Sequence, residues 1–90
     1  MKAECKDEET LLREKILELV ERRGTEKTCC PSEVVRSLFP ADWRDRMEQC
    51  RAVGWILEGE GRIEVCQGGL PVSPPVTGPI RFRLKKPGNK

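Results

Sequence analysis

At Gly59-Glu60-Gly61 the hydrophobic pattern of this chain changes its period. Upstream, apolar residues recur every three or four positions, the spacing of an α-helix with one buried stripe; downstream they alternate, the spacing of a strand with one buried face. A chain that makes this switch once must lay helices against a hairpin. The third and last helical stripe is read over Asp42 to Glu58, and the alternating runs over Arg62 to Val65 and Ile80 to Leu84. Two shorter helices precede them. The order helix, helix, helix, strand, long loop, strand predicts an α+β fold of the winged helix-turn-helix type, with a two- or three-stranded antiparallel hairpin as the wing.

The local signals agree with that order. Asp7 is placed to cap the first helix, with Glu8 and Glu9 in the turn where the helix dipole favours negative charge. Leu12, Ile16, Leu19, Val20 and Arg23 keep helical spacing, and Arg22-Arg23-Gly24 ends the run. Lys27-Thr28-Cys29 reads as a short edge strand beside the hairpin. Pro31 opens a second helix with Val34, Val35, Leu38 and Phe39 on its inner side, and Pro40 closes it. On the third helix, Asp42 is expected as the cap, and Trp43, Met47, Cys50, Gly54 and Leu57 fall in one inward arc widened by Val53. Gly54 in a helix interior costs about 1 kcal/mol against alanine, so the close approach of another helix is expected there. Leu70 to Gly78 holds three prolines and is expected as a stiff, extended loop rather than a ladder. One domain over residues 7–86 is expected, with loose tails at 1–6 and 87–90.

Composition narrows the chemistry. The chain has no histidine, which removes Ser-His-Asp and Cys-His catalysis and every Cys/His zinc site. Its five cysteines are an odd number without a C-x-x-C pair, so neither a disulfide framework nor a metal site is expected. Cys30 stands near a helix N-terminus, where a thiol's pKa can fall; the plainer reading is a small, half-buried cap residue, because no partner base is in sight. No apolar run reaches the roughly 18–20 residues of a membrane span, and the start lacks the apolar core of a secretory signal. Cytoplasmic residence, no cofactor and no enzymatic activity are the expectations.

Cys30-Pro31-Ser32-Glu33-Val34, Asp42-Trp43-Arg44, Arg51, Gly61-Arg62-Ile63-Glu64 and Gly78-Pro79-Ile80-Arg81 are separated blocks within a similarity that covers about residues 11 to 84. In this order they resemble a small, mostly bacterial family of uncharacterised domains. Trp43, Arg44, Arg51, Gly61, Pro79 and Arg81 match its pattern. The resemblance implies a winged-helix domain and carries over no activity.

Charge is uneven: residues 61–90 hold six Lys/Arg against one Asp/Glu, net +5, while residues 27–60 hold five against six, net −1. Two functions compete on that footing. In the first, duplex DNA is contacted by helix 3 and the basic hairpin through Arg44, Arg46, Arg51, Arg62, Arg81, Arg83, Lys85 and Lys86, with Arg44 and Arg51 reaching base edges. Glu48 is expected to pair with Arg44 and Arg51, so this binding should be weak. In the second, Trp55, Ile56, Leu70, Val72 and Val76 form a contact surface for a protein partner or a second copy of the chain.

Overall fold

The computed structural model describes residues 7–73, 76 and 78–85; the expected tails at 1–6 and 87–90, Cys5 and Lys86 lie outside the described residues. Three α-helices and a four-stranded antiparallel sheet are packed in the order α1 (Glu8–Arg23), β1 (Thr28–Cys29), α2 (Pro31–Leu38), α3 (Met47–Gly59), β2 (Ile63–Gln67), β3 (Leu70–Pro71) and β4 (Arg81–Leu84). The spatial order of the strands is β1-β4-β2-β3. β4, the last of the described strands, is therefore central, clamped between the edge strand before α2 and the strand that follows α3.

α1 and α2 form where their caps and stripes demand. Asp7 accepts the backbone N–H of Thr10 at 2.9 Å, and Gly24 ends α1 at φ 81°, a conformation that L side chains rarely adopt. Leu12, Ile16 and Val20 of α1 are fully buried. In α2 the Glu33 carboxylate reaches back to the Cys30 N–H at 3.2 Å, and the helix stops at Phe39, before Pro40. At the other end of the bundle Arg62 N–H donates to Leu57 O and Gly61 N–H to Glu58 O, both at 3.0 Å, with Gly61 at φ 78°. That pair of bonds is the glycine-closed termination that turns α3 into the sheet.

The start of the third helix differs from the expected single helix over Asp42 to Glu58. Trp43–Arg46 is a 3-10 turn, and the α-helix begins only at Met47. Asp42 makes no capping bond; its carboxylate lies against Arg46 instead, Nη2 to Oδ2 at 3.3 Å. An ion pair four residues on has taken the side chain that capping required. The tighter winding leaves Trp43 and Met47 half-buried at the margin of the core, while Cys50, Val53, Gly54 and Leu57 are buried within it.

Two further expectations need correction. The neighbour that accounts for Gly54 is a strand: a Cβ built there would lie 2.6 Å from Cζ of Phe82 on β4. The aromatic ring occupies the volume that a side chain on α3 would take. The sheet also has one more strand than expected, for Leu70 and Pro71 pair with Gln67 and Cys66. Gly68 and Gly69, at φ 62° and 85°, close a two-residue turn whose twist suits an antiparallel pair. Pro71 sits on the outer strand, where its missing N–H is not needed.

The core joins α1, α2 and α3 to one face of the sheet through Cys29, Ile63, Val65, Ile80 and Phe82. On the other face two rows cross the strands: Thr28, Arg83 and Glu64, then Arg81, Cys66 and Pro71.

Candidate interaction surface

The 3-10 turn and α3 together present one line of exposed positions. Glu48, Ala52 and Ile56 succeed one another at four-residue spacing, with Asp45 before them and Gly59 after. The line carries two carboxylates, one large apolar side chain and no cation. Arg44 and Arg51, expected to pair with Glu48, are turned instead to the Trp43 ring and to the Gly78 carbonyl. No ion pair joins Glu48 to either of them.

Most of the arginines on the first expected site are already engaged. Arg51 donates to the carbonyl of Gly78 at 2.9 Å and, at 3.5 Å, to that of Val76, so it braces the loop between β3 and β4. Arg46 is tied to Glu8 and Asp42 and lies over the Phe39 ring at 4.7 Å. Arg83 lies across from Glu64 and donates to it through Nε at 3.0 Å. Arg81 is exposed, with its Nε on the Thr28 hydroxyl at 2.7 Å. Arg62 and Lys85 are exposed and form no ion pair among the described residues. The structure thus scatters these groups over α3, the loop and the sheet. Charge-assisted bonds are about twice as strong as neutral ones, so withdrawing Arg46 or Arg83 from its carboxylate would carry a cost at each contact.

Arg51 makes a direct test of the loop. The Arg51→Ala variant is expected to lose about 1 kcal/mol of stability, the net worth of a typical hydrogen bond, and to be cut faster by proteinase K between residues 72 and 79. Wild-type cleavage kinetics in that variant would show that the guanidinium does not hold the loop.

The second expected site divides in two. Trp55, Val72 and Val76 are half-buried and packed against the core, whereas Ile56 and Leu70 are 45% and 69% exposed. Ile56 lies on the outward line of α3 and Leu70 immediately follows the glycine turn of the hairpin. Among the described residues these two are the exposed large hydrophobic side chains.

One grouping was missed by sequence reasoning. Arg36, near the C-terminal end of α2, lies over the Trp43 ring at 4.5 Å, and Arg44 lies over the same ring at 4.7 Å. Both arginines are exposed, and neither makes an ion pair among the described residues. An arginine in the last turn of a helix is read as a solvated partner of the helix dipole. The available signal was a tryptophan seven residues downstream, brought alongside by the turn between α2 and α3.

Elsewhere the polar groups are occupied. The shallow concavity lined by Asp7, Glu8, Glu9 and Gln49 uses Asp7 to cap α1 and Glu8 to hold Arg46. Arg23 binds Glu33 through Nη1 at 2.8 Å, holding that carboxyl below its ordinary pKa against the opposing effect of burial. Among the described residues no cluster of histidine, cysteine or acidic side chains has the arrangement to hold a metal ion. Among them, no helix is long and apolar enough to cross a membrane.

Comparison with known proteins bears on family and not on activity. No curated protein matches the chain. A family model does match, over residues 9–85, which spans all three helices and all four strands. The chain belongs to the family described as Protein of unknown function (DUF3253).

Proposed function

We propose that this domain is a winged helix used as a protein-interaction module. The helix-strand-helix-helix-strand order, with β4 paired between β1 and β2, supports the winged-helix assignment; the loop braced by Arg51 corresponds to the wing. The observation that carries the functional reading is the outward line of α3. In a helix that enters a DNA groove, that line meets phosphates and base edges and needs cations to do so. Here it offers Asp45, Glu48, Ala52 and Ile56, which suits a partner surface of mixed character with an apolar anchor. Exposed Leu70 at the hairpin supplies a second apolar contact. Of the two expected base readers, Arg51 is spent on the loop, which does not favour duplex DNA.

A photo-crosslinking residue at position 56 tests this in cells. The reading expects a discrete protein adduct, and the purified adduct partner should bind the domain stoichiometrically by calorimetry. Ile56→Asp should weaken that complex at least tenfold while leaving the circular dichroism unchanged. Adducts to nucleic acid, or saturable and salt-dependent binding of duplex DNA by the wild-type domain, would overturn the reading. A second copy of the chain in the adduct would identify the partner as the domain itself.

A further inference from the structure

We propose that Arg36, Trp43 and Arg44 form a recognition site for an acidic segment of the protein partner. The inference rests on the protein-interaction reading and names the chemistry of what is bound. Of the described arginines, these two are held over a single aromatic ring, and neither has a carboxylate of its own. Both charges are therefore gathered at one indole. Like charges gathered at one side chain repel one another, and an anion that contacts either guanidinium relieves that repulsion.

The indole does more than bring the charges together. A guanidinium lying over an aromatic ring has its plane fixed and one face shielded from water, while the N–H donors at its edge stay available. Less rotamer freedom is then lost when those donors meet a carboxylate, which they do in pairs. Nearby Asp42 is committed to Arg46, so it does not quench the site. Tryptophan and arginine are also the side chains that most often dominate binding energy at protein interfaces.

The surroundings select a peptide over a nucleic acid. Asp45 and Glu48 are exposed beside the site on the face that continues to Ile56, so the surface alternates in sign within a few residues. A duplex carries a phosphate charge about every 1.7 Å of its axis and meets repulsion from the exposed carboxylate of Asp45, next in sequence to Arg44. A short acidic segment places its carboxylates at the arginines alone. Apolar residues beyond it would then continue along Ala52 and Ile56.

The test uses the whole chain, with the Trp43 indole and the arginine Nε–H resonances as reporters in nitrogen-15 NMR. An octapeptide of alternating glutamate and glycine is titrated at low ionic strength beside its glutamine analogue and a 12-base-pair duplex. The glutamate peptide is expected to shift the signals of Trp43, Arg36 and Arg44 saturably, and the glutamine peptide is not. Combining Arg36→Gln with Arg44→Gln should weaken glutamate-peptide binding at least tenfold, and Arg22→Gln, at an exposed arginine of α1 paired with Glu18, should leave it within twofold. If the glutamate peptide does not bind, or binds equally well to the double variant, the acidic-segment site is overturned. The Ile56 reading is untouched by that result, because its own evidence is the crosslinked complex. Tighter binding of the duplex than of the glutamate peptide would overturn both.

Discussion

Replacing Phe82 with alanine is expected to lower the unfolding free energy by about 3–5 kcal/mol, the range for removing a buried aromatic side chain. A domain of this length has about 5–13 kcal/mol in total, so the variant should be close to unfolded at 37 °C. Phe82 is fully buried on the central strand, with its ring against Gly54 of α3 and its backbone paired to both Cys29 and Val65. It therefore joins the helical layer to both flanking strands. Gly54→Ala approaches the same contact from the other side. Alanine gains about 1 kcal/mol of helix propensity, but its methyl group would lie within 3 Å of two Phe82 ring atoms. Overpacking of this kind costs about 1–3 kcal/mol, so a net loss is expected. The Phe82→Leu change in the Gly54→Ala background should recover part of it, giving a coupling energy of about 1 kcal/mol or more. Urea titrations followed by circular dichroism measure wild type, Phe82→Ala, Gly54→Ala, Phe82→Leu and the Gly54→Ala, Phe82→Leu double variant. Additive effects, or a Phe82→Ala variant within 1 kcal/mol of wild type, would show that the ring is not what keys the helix to the sheet.

The pair Gly54 and Phe82 also shows how far sequence reasoning reached. A glycine inside a helical stripe signals that something approaches closely, and that inference held; which element approaches is a tertiary fact that helix periodicity does not contain. The inner faces were legible because burial imposes a period, and Leu12, Ile16, Val20, Cys50, Leu57, Ile63 and Val65 sit where their spacing placed them. The 3-10 turn was not legible. Asp42 had two competing uses, a cap or an ion pair with Arg46, and local sequence does not decide between them. The extra strand at Leu70–Pro71 was legible in Gly68-Gly69, a strong hairpin signal, but the prolines beyond it outweighed that signal in the reading. Surface residues were the least legible, since an arginine's stem allows its head several destinations. The destinations found for Arg51, Arg36 and Arg44 are a loop carbonyl and a shared indole, each formed by residues from another element or across a turn.

Raising the pH from 8 to 10.5 is expected to destabilise the domain by about 4 kcal/mol through two buried thiols. Burial is the main cause pushing Cys29 up to about 11 and Cys50 up to about 12, from an ordinary value near 9. Glu33 reinforces the rise at Cys29, with Arg23 opposing it, and the neighbouring thiols reinforce it at Cys50. Cys50 also points its thiol at the Pro31 carbonyl, a contact that needs the proton. The fold thus favours the neutral form. That stabilisation is complete below pH 9, where the unfolded thiols are protonated too. It is lost as the pH climbs through 9 toward 11 for Cys29 and toward 12 for Cys50, because only the unfolded chain can ionise freely. At 1.36 kcal/mol per pKa unit, each thiol gives up about 2 kcal/mol by pH 10.5. The chain has no tyrosine to titrate in the same window. Urea midpoints at the two pH values, compared between wild type and a Cys29→Ala, Cys50→Val double variant, isolate the effect, since lysine titration is common to both proteins. The variant should retain most of its midpoint at pH 10.5. An equal fall in both proteins would mean that the alkaline sensitivity resides outside these two buried side chains.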